Sequence, residues 1–439
     1  MTTEAVRRLK AKELRFRAEM HMMAKRLAAM RGGALTSIEY QSVVVNRVIK
    51  LAHRLLPEAE LYRRSFGVFP TIVRESLDIL PESISYAARA ANAGSSAETL
   101  DDGTAWADEE SDPVDAQWYF DMPSVQRLLS TLPASARSVL ALGVPSLCGA
   151  AARIMDEVRV LDRSKVLERR SLGLTGAAED GTLKVAEWDL DAKPYLDATG
   201  MDVIVMDPPW YLEHYRAWLH TAVEACRIGG TICVVLPQIL TNRRSVVDRR
   251  ELLQILRSIG PVSLKPDLLS YVTPSFERAV LDAKGIGHLG RWRRADLALV
   301  RVRRKRLPYE FEPVPDNEWE YREISGRIVR SLWERAGEQG MPVIEPADAG
   351  AGYRLSSVSR FYLRSSGINL ITSRGGAAVV SHWGRLPMIL DLLRNGQPPP
   401  VAVRTALPAA AARDQDELAA TLELILHPYG SASAEAGVL

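Results

Sequence analysis

Four residues, Asp207-Pro208-Pro209-Trp210, follow the apolar run 201–206 and carry groups suited to chemistry on an amino group. An exocyclic amine such as adenine N6 has its lone pair drawn into the ring, so a site that makes it attack a methyl sulfonium must accept hydrogen bonds from the NH2 group. The Asp207 carboxylate and the Pro208 carbonyl can accept them, and proline adds a fixed φ and no competing N–H. Trp210 offers a stacking face, worth about 1–3 kcal/mol per base. The tetrapeptide predicts a nitrogen-acceptor site, although a Pro-Pro turn with a core tryptophan has the same sequence.

A glycine-bearing turn lies upstream of this motif. The apolar stretch 138–142 leads into Gly143-Val-Pro145-Ser146-Leu-Cys-Gly149, and a helical stretch follows from Ala150. A strand, a turn and a helix form the first unit of a doubly wound sheet, whose ligands bind beyond the carboxyl ends of the strands. The turn is not a GxGxxG, so it matches a dinucleotide fingerprint poorly.

Acidic residues follow the next two strand candidates. Asp162 ends the strand 158–161, where a carboxylate can accept hydrogen bonds from both ribose hydroxyls of a nucleoside cofactor. Asp162 could equally be a solvated turn residue. Asp189 follows the strand 183–188, and it could serve as the N-cap of a helix near 191–196.

The spacing of these elements predicts the fold class. After the Asp-Pro-Pro-Trp motif come an amphipathic helix over 212–226, a Gly229-Gly230 pair typical of a helix end, and a strand over 231–236. Alternating strands and helices of this length predict an α/β fold with a doubly wound, mainly parallel sheet.

Four features, in this order along the chain, resemble those of the probable N6-adenine methyltransferase family. They are the segment Gln117-Trp-Tyr119-Phe-Asp121, the 138–146 turn, Asp162 and the Asp-Pro-Pro-Trp motif. That family includes lysine methyltransferases acting on an elongation factor and a ribosomal-RNA adenine methyltransferase. The resemblance covers roughly residues 116–306, and it implies a Rossmann-like class I methyltransferase fold with S-adenosyl-L-methionine as cofactor. Tryptophan at the fourth motif position departs from the Tyr or Phe usual in that family and is more like the motif of the messenger-RNA adenosine methyltransferases. The resemblance therefore does not assign the substrate.

The resemblance also implies roles for individual residues. The methionine end of the cofactor would contact Gly143, Pro145 and Ser146, the ribose would contact Asp162, and the adenine would contact Asp189. The catalytic residues would be Asp207, Pro208, Pro209 and Trp210. Tyr119 would close over cofactor or substrate, although aromatic clusters such as 118–120 are also typical of core packing.

Four regions follow from the composition along the chain. We predict a helical region over 1–91 with helices over 5–30 and 38–56, an acidic flexible linker over 92–115, a catalytic domain over 116–306, and a smaller α+β accessory region over 307–439. Within the last region we expect a helix over 317–336, strands over 368–372 and 377–380, and a helix over 417–426.

The overall composition is that of a large soluble enzyme. The chain has 439 residues and a formal net charge of +2, so it has no global electrostatic preference for nucleic acid. Three widely spaced cysteines favour reduced, buried thiols, and no Cys/His spacing predicts a zinc site. With no signal peptide and no long apolar run in this sequence, a cytoplasmic location is expected and a membrane partner is not.

Two arginine clusters predict contacts with a phosphate backbone of DNA or RNA. Alternate arginines along a strand are also typical of its solvated face. The first cluster is Arg243, Arg244, Arg249 and Arg250; the second is Arg291, Arg293, Arg294, Arg301, Arg303, Arg304, Lys305 and Arg306.

These observations favour an S-adenosylmethionine-dependent amino-methyltransferase acting on adenine N6 of a nucleic acid, because Trp210 could stack on a base taken out of a helix. Methylation of a protein lysine is the alternative substrate. A non-catalytic, methyltransferase-like scaffold is the alternative class, since the GxGxG glycines are missing and a fold alone does not secure activity.

Overall fold

A computed structural model describes residues 37–52, 58–78, 111–115, 117–163, 181–286, 289, 291–315, 319–332, 340–347, 351–355 and 366–428. The helix predicted over 5–30 and most of the linker predicted over 92–115 lie outside the described residues. The chain divides into two compact units. The first is drawn from 1–106, 119–272 and 289–315, and the second from 107–118, 273–288 and 316–439. The boundaries predicted at 91, 115 and 306 stay predictions.

A seven-stranded sheet forms the centre of the first unit. Its strands lie in the order β3-β2-β1-β4-β5-β7-β6, and β7 runs antiparallel to both of its neighbours while β1 to β5 are parallel. This confirms the doubly wound, mainly parallel α/β fold of the Rossmann-like class I methyltransferase type. The strands are β1 (Ser138–Leu142), β2 (Glu157–Asp162), β3 (Leu183–Glu187), β4 (Met201–Met206), β5 (Cys226–Pro237), β6 (Val262–Ser270) and β7 (Arg294–Arg301).

The central strands explain how the two motif turns come together. In β1 and β4 nearly every side chain is buried, as expected for parallel strands covered on both faces. Their register pairs Leu142 with Met206. The next residues, Gly143 and Asp207, therefore leave the sheet side by side at its carboxyl edge.

Helices flank this sheet. The described helices of the first unit are α1 (Ser37–Ala52), α2 (Glu58–Arg64), α3 (Pro70–Asp78), α4 (Met122–Thr131), α5 (Cys148–Ala151), α6 (Leu212–Ala225) and α7 (Ser245–Ile259). Helix α6 packs Leu219 and Ala222 into the same core as Ile204 of β4. It ends at Ala225, one residue before the predicted end, and Gly229-Gly230 belong to β5 rather than to the helix end.

The second unit contains a five-stranded antiparallel sheet in the order β10-β12-β11-β9-β8. The prediction of a helix over 317–336 is wrong, because a hairpin of two strands turns at Ser325-Gly326, both with positive φ. Its strands are β8 (Glu320–Ile324), β9 (Arg327–Ser331), β10 (Val343–Pro346), β11 (Leu370–Thr372) and β12 (Ala377–His382). Its helices are α8 (Ser275–Ala283), α9 (Leu386–Arg394), α10 (Pro399–Ala406) and α11 (Ala412–Leu426).

Candidate active site

The Gly143 turn and the Asp207 loop meet at the carboxyl edge of the sheet. The Asp207 N–H donates to the Leu142 carbonyl at 3.2 Å, and the Gly143 N–H donates to the Leu161 carbonyl at 2.9 Å. Gly143 has φ +63°, and a Cβ at this position would lie 2.6 Å from the Trp218 ring and 3.4 Å from the Asp207 carbonyl oxygen. The turn therefore approaches its neighbours as closely as only glycine allows.

The Asp207 carboxylate is held by two aromatic side chains. Trp210 Nε1 donates to Oδ1 at 3.2 Å, and the Tyr271 hydroxyl donates to Oδ2 at 2.8 Å. Each carboxylate oxygen keeps further lone-pair capacity for an incoming N–H. Asp207 and Trp210 are partly exposed, whereas only 1% of Tyr271 is exposed, so a ligand can reach the first two and not the third.

The protonation of Asp207 is unusual. Burial raises the pKa of its carboxyl group from 3.8 to about 7, and the hydrogen bonds from Tyr271 and Trp210 and the charge of Arg293 oppose that rise. A carboxyl group with a pKa near neutrality is suited to exchange a proton with a substrate at physiological pH.

The two prolines of the motif differ in their hydrogen bonding. The Pro209 carbonyl accepts from the Tyr211 N–H at 2.7 Å. Among the described residues no donor reaches the Pro208 carbonyl. The oxygen that the sequence predicts as an acceptor for an amino group thus has no hydrogen-bond partner among the described residues, and Pro208 itself is buried.

The Trp210 ring has neighbours on its surface. The Arg293 guanidinium lies 4.2 Å from the ring centroid, and Tyr271 packs edge-on with a centroid distance of 5.7 Å. Cation–π attraction holds an arginine in this position. A planar group that stacks on this face of Trp210 must displace the guanidinium.

The described N-terminal helices also reach this edge of the sheet. The Tyr40 hydroxyl donates to the Leu240 carbonyl at 2.8 Å, and the Leu240 N–H donates to the Phe66 carbonyl at 2.9 Å. Phe69, between α2 and α3, lies with its ring centroid 6.0 Å from the Arg293 guanidinium. The segment between α2 and α3 thus places the Phe69 ring near Arg293, which itself packs on Trp210.

Of the remaining predicted cofactor residues, Pro145 and Ser146 begin a buried 3-10 turn (Pro145–Leu147) two residues after Gly143. The Ser146 Oγ accepts from the Phe120 N–H at 3.3 Å. This contact brings the upstream aromatic segment to the turn, where Tyr119 is 3% exposed and its carbonyl accepts from the Val272 N–H. Tyr119 packs as a core residue in this arrangement.

Asp162 and Asp189 lie at the same edge of the sheet, because β2 and β3 are parallel to β1. Asp162 is the last residue of β2 and is close enough to Cys148, which begins α5, to raise the pKa of that thiol, although burial is the larger cause. Asp189 Oδ1 accepts from the N–H groups of Asp191 and Ala192, at 2.9 and 3.3 Å. One Asp189 oxygen therefore stabilises a turn, but the described residues 191–196 form no helix, so the interpretation of Asp189 as a helix N-cap is wrong.

Sequence reasoning missed a buried network beside the glycine turn. Asp191 Oδ1 lies 2.8 Å from both His214 Nδ1 and Trp218 Nε1, and Asp191 and His214 are 4% and 1% exposed. Burial raises the pKa of Asp191, but the hydrogen bonds from His214 and Trp218, together with the charges of His214 and Arg163, outweigh burial and keep this pKa below its usual value. Since the Trp218 ring packs on Gly143, the network connects the loop after β3, helix α6 and the turn after β1.

The arginine clusters are rearranged by the fold. Arg249 donates to Asp296 at 2.6 Å and to the Pro237 carbonyl at 2.8 Å, and only 13% of its side chain is exposed, so it belongs to a buried ion pair. Arg243 and Arg244 are exposed, and Arg250 is partly exposed. Their contacts with phosphate stay a prediction.

The second predicted cluster is two groups at opposite edges of the sheet. Strand β7 is antiparallel to β5, so Ala295 pairs with Pro237 and Arg301 pairs with Thr231. At the carboxyl edge, Arg291 and Arg294 form ion pairs with Asp121 and Asp267. The exposed residues at the other edge are Arg301, Arg303, Arg304, Lys305 and Arg306.

Within the described part of the chain, no three His, Cys, Asp or Glu side chains cluster in a way that could hold a metal ion. None of the described helices combines the length and apolar character needed to cross a membrane. Cys148, Cys226 and Cys233 are free and buried, which confirms the expected buried thiols.

No protein-family model and no curated protein matches the chain. Among solved structures, a branched-chain polyamine synthase from Thermus thermophilus, in complex with N4-aminopropylspermidine and 5'-methylthioadenosine, is similar with 18% identity and a TM-score of 0.47 over 68% of this chain and 96% of that chain. A TehB-like SAM-dependent methyltransferase from Corynebacterium glutamicum is similar with 12% identity and a TM-score of 0.27 over 41% and 88%. TrmN from Thermus thermophilus is similar with 13% identity and a TM-score of 0.27 over 41% and 47%. Structural neighbours of the chain thus include SAM-dependent methyltransferases; the fold itself is evident from the strand order.

Proposed function

We propose that this protein transfers a methyl group from S-adenosylmethionine to a nitrogen atom. The observation that carries the proposal is the position of the Asp207 carboxylate. It lies at the carboxyl edge of a class I sheet, directly after β4 and beside the close turn at Gly143. In doubly wound sheets this edge is where ligands bind.

The residues at this edge fit the cofactor. A Cβ at position 143 would clash with the Trp218 ring at 2.6 Å, so only glycine lets this turn lie so close to helix α6 and to the Asp207 backbone. Gly143, Pro145 and Ser146 would contact the methionine part, Asp162 the ribose hydroxyls and Asp189 the adenine. Asp189 has one carboxylate oxygen outside its turn for that bond.

When bound, S-adenosylmethionine supplies a methyl group on a sulfonium, which an acceptor nitrogen attacks with its lone pair as the carbon–sulfur bond breaks and its electrons go to sulfur. Asp207 and the Pro208 carbonyl accept hydrogen bonds from the N–H groups and point the lone pair at the methyl carbon. The nitrogen gains a bond and releases one proton, which Asp207 accepts. Positioning supplies most of the rate, because the two reactants are held in line.

The first candidate acceptor is adenine N6 in DNA or RNA. The partly exposed ring of Trp210 supports it, since a base taken out of its helix could stack there. In this case Arg293 moves from the Trp210 face and can pair with a phosphate of the same nucleic acid.

The second candidate is an aliphatic amine such as a protein lysine. Two observations favour it: the Asp207 pKa of about 7, and the guanidinium on the Trp210 ring. An ammonium group must lose a proton before it attacks, and a carboxylate of raised pKa accepts that proton more readily than an ordinary aspartate does. Such an acceptor needs no stacking face.

Labelled S-adenosylmethionine and a cell lysate test the proposal. We expect the enzyme to transfer label to macromolecules, and release of the label by nuclease would identify a nucleic acid, whereas release by protease would identify a protein acceptor. Asp207→Ala should abolish the label, and Asp197→Ala, at an exposed residue, should leave it unchanged. Absence of transfer with the wild-type protein would instead favour a non-catalytic scaffold.

A further inference from the structure

Tyr271 occupies a position that the motif does not foresee. It follows β6 directly, 64 residues after Asp207 in sequence, and its hydroxyl donates to Asp207 Oδ2 at 2.8 Å. Its ring packs 4.8 Å from Phe120 and 5.7 Å from Trp210, measured between centroids. Backbone hydrogen bonding also fixes it, since its N–H donates to the Arg293 carbonyl at 3.1 Å.

We infer that Tyr271 is a positioning residue that fixes the orientation of Asp207 and sets the pH above which Asp207 can act as proton acceptor. The inference rests on the proposed function, because it assigns Asp207 the proton of the acceptor nitrogen. Tyr271 itself is 1% exposed and so cannot touch the substrate. It acts through the carboxylate alone.

The physical reason is a balance between burial and hydrogen bonding. Burial would drive Asp207 strongly toward its neutral form, which cannot accept a proton. A hydroxyl that donates to the carboxylate stabilises the ionised form and keeps the Asp207 pKa close to neutrality. Burial and the neighbouring carboxylate raise the pKa of Tyr271 well above 10, so its proton stays on the phenol and the donor is permanent.

The charged and titratable groups around Asp207 come from three elements. They are Tyr271 after β6, Arg293 before β7 and Tyr215 on α6. Arg293 lowers the Asp207 pKa by its charge. The Tyr215 hydroxyl donates to the Val235 carbonyl at 2.8 Å instead of to Asp207, and it is buried like Tyr271. This difference makes Tyr215 a matched control.

The experiment compares Tyr271→Phe with Tyr215→Phe in the full-length protein. The Asp207 carboxyl is titrated by 13C NMR, with Asp207→Asn used to assign its signal, and kcat/KM is measured against pH. Loss of the Tyr271 donor should raise the Asp207 pKa by about one unit, and the acid limb of the kcat/KM profile should move to higher pH by the same amount. Tyr215→Phe should leave both unchanged.

A second variant keeps the test decisive if Tyr271→Phe does not fold. Incorporation of 3-fluorotyrosine at position 271 retains the ring and the hydroxyl but makes the phenol more acidic, so the Asp207 pKa should fall. An unchanged Asp207 pKa in both Tyr271 variants, or an equal shift in Tyr215→Phe, would overturn the inference. The NMR titration needs no turnover, so a protein in which Asp207 responds to Tyr271 but no transfer occurs would refute the proposed function separately.

Discussion

Gly143 connects backbone conformation to ligand binding at the residue scale. We expect Gly143→Ala to weaken cofactor binding at least tenfold, because the new Cβ meets the Trp218 ring at 2.6 Å in addition to the strain of a positive φ. Isothermal titration with S-adenosylhomocysteine measures the effect. Gly200→Ala is the control, since Gly200 has φ +75° and nothing within 4 Å of its Cβ position. Equal losses of affinity in the two variants would contradict a role for the close turn.

Asp207 makes a pH-dependent contribution to stability. The pKa of its carboxyl group is about 7 in the folded chain, against 3.8 for an unperturbed aspartate such as that of the unfolded chain. The folded state therefore binds the carboxyl proton more tightly. The stabilisation is complete below about pH 4 and is lost as the pH rises through 7. In Asp207→Asn we expect the free energy of unfolding in urea to fall less between pH 5 and pH 8 than in wild type.

The second unit supplies an internal comparison for that measurement. Burial raises the pKa of Asp112, which pairs with Arg330, to about 7 as well. Asp112→Asn should reduce the pH dependence of the free energy of unfolding of the second unit, and it should leave the contribution of Asp207 to that of the first unit unchanged. An Asp207→Asn variant with the full wild-type pH dependence would show that the Asp207 pKa is not raised.

At the residue scale the sequence indicated the motif and the glycine turn but not their partners. Asp207 and Gly143 stand at the ends of apolar runs, which is a local signal. Tyr271 and Trp218 carry no such signal, because they reach the site through the pairing of distant strands and through helix α6. Their contacts are a property of the tertiary structure.

At the scale of elements, the buried network around Asp191 joins the loop after β3 to helix α6. In Asp191→Asn we expect a loss of about 2 kcal/mol in the free energy of unfolding, because the Trp218 and His214 donors lose a charged acceptor. The loss should be present at neutral pH and shrink as the pH falls through the lowered Asp191 pKa.

Chemical denaturation checks this prediction, and Glu213→Gln on the exposed face of the same helix is the control. A cost no larger than that of the control would mean that the network does not stabilise α6. Because Trp218 packs on Gly143, we also expect weaker binding of S-adenosylhomocysteine in Asp191→Asn.

The elements differ in how well their sequence predicts them. Strands β1 and β4 begin and end at the predicted residues, because their mainly apolar runs, which end at Gly143 and Asp207, are typical of buried parallel strands. The hairpin of β8 and β9 was predicted as a helix. Its decisive feature is the Ser325-Gly326 turn, whose positive φ angles suit a two-residue hairpin, and the residues around it also fit a helical spacing.

The topology also explains the arginine clusters. Residues 291–306 form one basic segment in the sequence, but antiparallel β7 carries its two ends to opposite edges of the sheet. Chain direction within a sheet is not readable from local composition. Only the end that contains Arg291, Arg293 and Arg294 lies at the edge of the sheet where Asp207 lies.

At the scale of the whole molecule, cofactor binding should appear as stabilisation. A ligand that binds only the folded state at about 100 times its Kd adds about 2.7 kcal/mol to the free energy of unfolding. We therefore expect S-adenosylmethionine to raise the melting temperature of the protein, and adenosine triphosphate at the same concentration to have no such effect. An equal rise with both compounds would argue against a specific site for the sulfonium cofactor.

The proposed function requires the Gly143 turn and the Asp207 loop to serve one reaction. A crystal structure with sinefungin, which carries an amine in place of the sulfonium methyl, shows whether they do. We predict that the sinefungin amine lies within hydrogen-bonding distance, about 3.2 Å, of the Asp207 carboxylate or the Pro208 carbonyl, with its amino-acid part on the Gly143 turn. Sinefungin bound away from this edge of the sheet, or with its amine pointing away from Asp207, would show that the turn and the loop do not form one active site.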